Sequence, residues 1–163
     1  MMHTLPDSPE RGAAAPVPRM ADGEPRPLSQ PLPQATAEGA GRRVLVVEDS
    51  RDSATSLRML LEVLGYQVRV AYTGRAGLDE AAAWRPEVVV CDIGLPEMDG
   101  YEVARRLRQA PESRGVLLVA LTGYGRDEDR RRAFEAGFDH HLTKPADPEE
   151  LRRLLASGRP PAA

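Results

Sequence analysis

Glu87-Val88-Val89-Val90-Cys91-Asp92-Ile93-Gly94-Leu95-Pro96-Glu97-Met98-Asp99-Gly100 is the segment from which the architecture can be worked out. Val88, Val89, Val90 and Cys91 form a continuous apolar run with β-branched side chains, the composition of a strand buried on both faces of a parallel sheet. The run stops on a carboxylate, Asp92, and Gly94, Pro96 and Gly100 then turn the chain into an amphipathic pattern. Open α/β sheets bind ligands outside the carboxyl ends of their strands, which is where Asp92 stands. Taken alone, Asp92 suits a turn cap as well as a functional acid. The ends of the other strands decide between the two.

On both sides of this segment, short apolar runs alternate with helical patterns. Val44 to Val47 reads as a strand. Ser50 to Leu64 carries Ala54, Leu57, Leu61 and Leu64 at helical spacing, with Ser50 as N-cap and Gly65 as the stop. Gln67 to Ala71 alternates like a strand exposed on one face, as at a sheet edge. A second helix from about Arg75 to Ala83 ends before Pro86. The central strand, Glu87 to Cys91, leads to a third helix from Gly100 to Gln109. Val116 to Leu121 is a further apolar strand, followed by an Arg-rich helix from about Arg126 to Ala136 that Gly137 terminates. Phe138 to Leu142 is a shorter strand. The last helix, Pro148 to Ala156, opens on Asp147 as cap with Pro148 in first position.

Five βα units in succession imply an α/β fold with a parallel sheet, helices on both faces and right-handed crossovers. At this length the expected architecture is flavodoxin-like and doubly wound, with five strands in the order 2-1-3-4-5 and five helices. The chain has 163 residues, enough for one ordinary domain. Eight of its 15 prolines lie in the first 40 residues, where apolar residues show no period. Residues 1–40 therefore read as a disordered Pro-rich tail, 41–157 as the folded domain and 158–163 as a disordered end.

The formal charge is −3, and setting the first 40 residues aside leaves −1. A near-neutral domain lacks the basic footprint of a nucleic-acid binder, so no direct nucleic-acid binding is expected. No apolar run approaches the roughly 18 residues that span a bilayer, and the N-terminus lacks the apolar core of a secretory signal, so a cytoplasmic protein without membrane contact is expected. The single cysteine, Cys91, has no partner for a disulfide and is expected to be buried packing.

In the proposed strand order, the polar strand ends fall side by side. Strand one ends in Glu48 and Asp49, strand three in Asp92, strand four in Thr122, and strand five in Thr143 and Lys144. Strand two, at the margin, ends in Ala71 and Tyr72. Three carboxylates at one sheet edge repel by about 4 kcal/mol per close pair at an effective dielectric of about 20. A divalent cation removes that cost. Oxygen ligands alone favour Mg²⁺, with Mn²⁺ as substitute, on Glu48, Asp49 and Asp92 with the Gly94 carbonyl as a further donor. Lys144 is the only lysine among 22 basic residues. A compact ammonium on a flexible stem enters a crowded pocket where a guanidinium would not fit. A carboxylate beside a metal, a lysine and a hydroxyl suits phosphoryl transfer, with Asp92 attacking phosphorus and Thr122 bonding the phosphoryl group that results.

These residues resemble the receiver domain of two-component response regulators over about 42–156. The resemblance lies in Val-Leu-Val-Val-Glu-Asp-Ser, Val-Cys-Asp-Ile-Gly-Leu-Pro-Glu-Met-Asp-Gly, Ala-Leu-Thr-Gly and Leu-Thr-Lys-Pro, in that order. It implies that Asp92 is the phosphoacceptor, Glu48 and Asp49 the acidic metal pair, Thr122 the switch hydroxyl and Lys144 the phosphate-contacting lysine. It also implies a cis Lys144–Pro145 bond and, as partners, a sensor histidine kinase or hybrid kinase that docks on the first helix. A histidine phosphotransfer protein is a further candidate partner. The fourth helix, fifth strand and fifth helix would form the output and homodimer surface. Receivers often carry Tyr or Phe three residues before the lysine; here His141 stands there, as a switch partner of Thr122 or as a plain surface histidine. Tyr124 either shields the phosphoryl group or is a solvated loop residue. The arginines of the fourth helix read as a solvated face supported by Asp127, Glu128 and Asp129. Two rivals keep the fold or the chemistry: a receiver-like binding module without phosphorylation, and an aspartyl-phosphate phosphohydrolase. The latter wants a second Asp where Gly94 stands.

Overall fold

The computed structural model describes residues 41–158. The expectations for residues 1–40 and 159–163 concern parts of the chain outside those described. Five parallel strands, β1 (Arg43–Val47), β2 (Gln67–Ala71), β3 (Val88–Asp92), β4 (Leu117–Thr122) and β5 (His140–Thr143), lie in the order β2-β1-β3-β4-β5. Between and after them run α1 (Arg51–Val63), α2 (Gly74–Trp84), α3 (Gly100–Gln109), α4 (Asp127–Ala136) and α5 (Pro148–Ser157). The doubly wound architecture expected from the alternating pattern is the one observed.

β1, β3 and β4 are buried on both faces, and each fully buried aliphatic side chain contributes about 1.5–3 kcal/mol. The pleat divides these side chains between two cores. Leu45, Val47, Val89, Cys91, Leu118 and Ala120 pack beneath α2, α3 and α4. Val44, Val46, Val88, Val90, Val119 and Leu121 pack beneath α1 and α5, against Leu61, Leu151 and Leu155. β2 alternates between exposed and half-buried residues, as an edge strand should.

Strand ends differ from expectation by a residue or two. β3 and β4 include Asp92 and Thr122, which pair in register with Leu121 and Thr143. The apolar pattern stops one residue early because these two polar side chains, though buried, break the apolar run while their backbone stays in the ladder. β5 begins at His140 rather than Phe138, and a short 3₁₀ turn at Pro111–Ser113, without periodicity of its own, precedes β4.

The caps read at Ser50 and Asp147 are both present, and Asp99, which the sequence did not single out, caps α3 in the same way. Ser50 accepts from the Ser53 N–H, Asp99 from Glu102 and Asp147 from Glu150. α1 closes with Gly65 at φ +94, its N–H on the Glu62 carbonyl and that of Tyr66 on Leu61. Gly100 is required for a different reason. A Cβ there would come within 2.5 Å of the Asp92 carbonyl oxygen and 2.7 Å of the Ile93 Cα, so only glycine lets α3 start against the end of β3.

Candidate functional site

The carboxyl edge of the sheet gathers the residues expected there. Glu48 follows β1 with its N–H on the Ala71 carbonyl (3.0 Å), Asp92 ends β3, and the Lys144 N–H bonds the Thr122 carbonyl (2.7 Å). Lys144 is joined to Pro145 by a cis bond, as the motif led one to expect. Its ammonium lies 2.6 Å from Glu48 Oε2 and 2.9 Å from Asp92 Oδ2. The remaining carboxylate oxygens are also engaged: Glu48 Oε1 accepts from the Ser50 N–H at 3.1 Å and Asp92 Oδ1 from the Gly94 N–H at 2.9 Å. Beyond Gly94 the loop folds tightly, with the Met98 N–H on the Pro96 carbonyl at 2.7 Å and Glu97 at φ +66, a conformation a non-glycine residue adopts at some cost.

Register and pleat split the site in two. Glu48, Asp92 and Lys144 continue the series that faces α1 and α5, which is why the lysine meets both acids. Thr122 continues the series that faces α4, as does His141, whose register partner is Ala120. The Thr122 hydroxyl accordingly bonds the Tyr124 carbonyl at 2.7 Å and His141 Nε2 at 3.0 Å. Tyr124 itself is 72% exposed, with Arg126 stacked over its ring.

Glu48 is only 1% exposed. Burial pushes its carboxyl above the ordinary value, and the Asp92 charge adds to this; the bonds from Lys144 and Ser50 pull the other way and do not win. Burial also disfavours the Lys144 ammonium, yet its bonds to Glu48 and Asp92 outweigh that and its pKa is raised. The ammonium thus stays charged between the two acids.

One oxygen each from Glu48, Asp49 and Asp92 lies within 4.8 Å of the others. Asp49 is exposed, so the cluster is open to solvent on one side. Three hard carboxylate donors with an open side suit a divalent cation that keeps part of its water, which is the preference of Mg²⁺. The residues therefore fit the expected metal.

Two parts of the surroundings escaped the sequence. A groove of about 520 Å³ runs from Glu48 and Lys144 along α1, lined by Asp52, Ser53, Leu57 and Leu60 among others. Helical spacing had pointed to Ala54 and Leu57 as core, and Ala54 is fully buried whereas Leu57 also lines this groove. The arginines of α4 are exposed, as a solvated face requires, with Arg131 paired to Glu135 at 3.7 Å; what the sequence did not show is that Arg132 stacks on Tyr101.

A sequence profile of the response regulator receiver domain matches residues 44–156. The chain belongs to this receiver family. A curated relative described as an uncharacterized 14.6 kDa protein, from Leptolyngbya boryana, is 42% identical over 112 residues, covering 69% of this chain and 86% of that one. The response regulator MprA of Mycolicibacterium vanbaalenii is 41% identical over 109 residues, covering 67% of this chain and 46% of its own. The chain thus spans about half the length of that response regulator. Among solved structures, the receiver domain of the sensor histidine kinase PA1611 from Pseudomonas aeruginosa superposes with a TM-score of 0.68 at 33% identity, covering 73% of this chain and 98% of that domain. In that receiver a magnesium ion is coordinated in the active site cleft. Among the described residues of this receiver, no helix is long and apolar enough to cross a membrane.

The buried acid Glu48 of the receiver site allows a test. A folded-state carboxyl pKa above the ordinary 4.5 means that Glu48 supports stability fully below that value and ceases to do so as pH rises through the folded one. In metal-free buffer, Glu48→Gln should therefore gain thermal stability relative to the unmodified receiver as pH is raised, read by melting at several pH values. The same change should weaken Mg²⁺ binding by about tenfold or more, read by titration. A variant that melts lower at neutral pH and binds Mg²⁺ unchanged would contradict both expectations.

Proposed function

We infer that this receiver accepts a phosphoryl group on Asp92 from the phosphohistidine of a sensor histidine kinase or hybrid kinase, or of a histidine phosphotransfer protein. The observation that carries the reading is one ammonium held between two buried acids, Lys144 on Glu48 and Asp92, with Asp49 close enough to complete a cation site. An Asp92 carboxylate oxygen forms a bond to phosphorus as the phosphorus–nitrogen bond of the donor breaks; the electron pair leaves with the imidazole, which takes a proton from water. Lys144 neutralises oxygens of the incoming group, a role for which a charged, partly flexible donor is suited. Glu48, Asp49, Asp92 and the Gly94 carbonyl would hold Mg²⁺, or Mn²⁺ in its stead. Such an ion supplies positive charge where an anionic acid must approach an anionic phosphoryl group.

Transfer of the Thr122 hydroxyl to the phosphoryl group shifts the domain between inactive and active states, with His141 as its switch partner. The donor docks along α1, beside the groove that ends at Lys144. Met59 and Val63 on that helix are 61% and 54% exposed and give the donor two apolar contacts there. The face made by α4, β5 and α5 serves output and dimer formation.

The test is incubation of the full chain with Mg²⁺ and acetyl phosphate. One base-labile phosphate per chain is expected, at Asp92, with none when Mg²⁺ is chelated. No adduct with acetyl phosphate or with any of several histidine kinases would favour the binding module. Steady release of phosphate with repeated turnover would favour the phosphohydrolase.

A further inference from the structure

The Thr122 hydroxyl has a single proton and two neighbours. The Tyr124 carbonyl, 2.7 Å away, can only accept, so the hydroxyl proton is given to it. His141 Nε2, at 3.0 Å on the other side, then faces lone pairs alone and must supply a proton of its own. The imidazole is therefore protonated at Nε2 and donates to Thr122. A hydroxyl committed in this way, on the α4 side of the sheet, serves nothing bound to Asp92 until both bonds are released.

We propose that His141 is a latch: a positioning residue whose Nε2–H holds the Thr122 hydroxyl on the α4 side and so limits how readily it passes to a phosphoryl group on Asp92. The proposal rests on Asp92 being the phosphoacceptor and adds a restraint that an aromatic hydrocarbon ring at this position would lack. The surroundings give the ring room to let go. A cavity of about 260 Å³ opens beside it, lined by Gly125, Arg130, His141, Thr143, Asp147 and Glu150.

The charged groups that face the imidazole are Arg130 and Asp129 from α4, Asp147, already committed to the Glu150 N–H at 2.8 Å, and Glu150 from α5; β4 and β5 present Thr122 and Thr143. Burial, then Arg130, hold the imidazole below its ordinary pKa, with Asp129 opposing. The ring is thus neutral near pH ~7. Acid does not undo the latch. An imidazolium keeps its Nε2–H, and a charged donor bonds more strongly than a neutral one.

Two measurements decide the matter. Nitrogen NMR of the His141 ring in the full chain, with no phosphoryl analogue present, should show the Nε2–H form, and Thr122→Val should hasten exchange of that proton. The second measurement is the affinity for beryllofluoride in Mg²⁺, a phosphoryl mimic that reports on Asp92. His141→Phe, which keeps a ring and loses the donor, should bind about fivefold tighter than the unmodified chain, the worth of one neutral hydrogen bond. His141→Gln, which keeps an N–H in much the same place, should return the affinity toward the original. The advantage of both variants over the unmodified chain should grow as pH is lowered through the imidazole titration, because only the unmodified chain tightens its latch, while the ratio between the two variants should stay constant. An Nδ1–H ring, or a phenylalanine variant that binds no tighter, would overturn the latch. Failure of the unmodified chain to take up beryllofluoride would overturn the phosphoacceptor reading instead, and the ring's tautomer would still decide the hydrogen bond.

Discussion

Asp92→Asn should abolish phosphoryl labelling by acetyl phosphate while leaving the fold intact. The amide is isosteric, and its oxygen can keep the bond that Asp92 Oδ1 now accepts from the Gly94 N–H at 2.9 Å. Its nitrogen faces the Lys144 ammonium, donor against donor, so the lysine withdraws onto Glu48, to which it is already bonded at 2.6 Å. The lost ion pair is offset by removal of a buried carboxylate that repels Glu48, so the melting temperature should move by only a few degrees. Chemistry is affected far more. The amide lone pair is delocalised, and no acyl phosphate can form on it. Intact-mass measurement after incubation, paired with a melting curve, reads both outcomes. A phosphate that persists on the folded variant would place the acceptor elsewhere, with the exposed Asp49 the first candidate.

The second large effect lies at the opposite end of the sheet. Arg108, in α3, donates Nε to the Gly137 carbonyl at 2.9 Å, one terminal nitrogen to the Arg114 and Val116 carbonyls at 2.9 and 2.7 Å, and the other to Asp139 at 2.7 Å. The same Asp139 oxygen accepts the Leu118 N–H at 2.9 Å, so one ion pair ties α3 to the starts of β4 and β5. Gly137, at φ +114, must be glycine twice over, since a Cβ would meet Arg108 Cγ at 2.7 Å. Asp139→Ala removes the carboxylate that this largely buried guanidinium pairs with at 2.7 Å, a change that costs about 3–5 kcal/mol. For a domain of this size that is a fall in melting temperature of about 10–20 °C. Arg108→Ala should cost at least as much, and the double variant less than the sum of the two. Below its melting temperature each single variant should still label at Asp92, because the node touches none of the reacting groups. A loss of under a degree in both would refute the assignment of this pair as a structural clamp.

Most of the architecture was legible because apolar runs and helical spacing alternate five times, and a parallel sheet follows from that alternation. The gathering of Glu48, Asp49, Asp92, Thr122 and Lys144 followed from strand order, since each ends a strand or begins the loop after one. The Arg108–Asp139 clamp could not be read, because partners 31 residues apart carry no local signal. Nor did the apolar pattern reveal that Asp92 and Thr122 belong to the ladder. The turning of Thr122 toward His141 was only one of two readings of that histidine, because it depends on which residues of β4 and β5 stand opposite, and a shift of one would have sent the two side chains to different faces.

The pleat that places the acid and lysine on one side of the sheet and the hydroxyl on the other separates two kinds of inheritance. With Asp92 as the acceptor, what the domain reacts with is written in residues facing α1 and α5. How it answers is written around a single side-chain torsion at the tip of β4. Descendants of such a chain can therefore exchange the neighbours of Thr122, and with them the ease of response, without disturbing the acid that is modified.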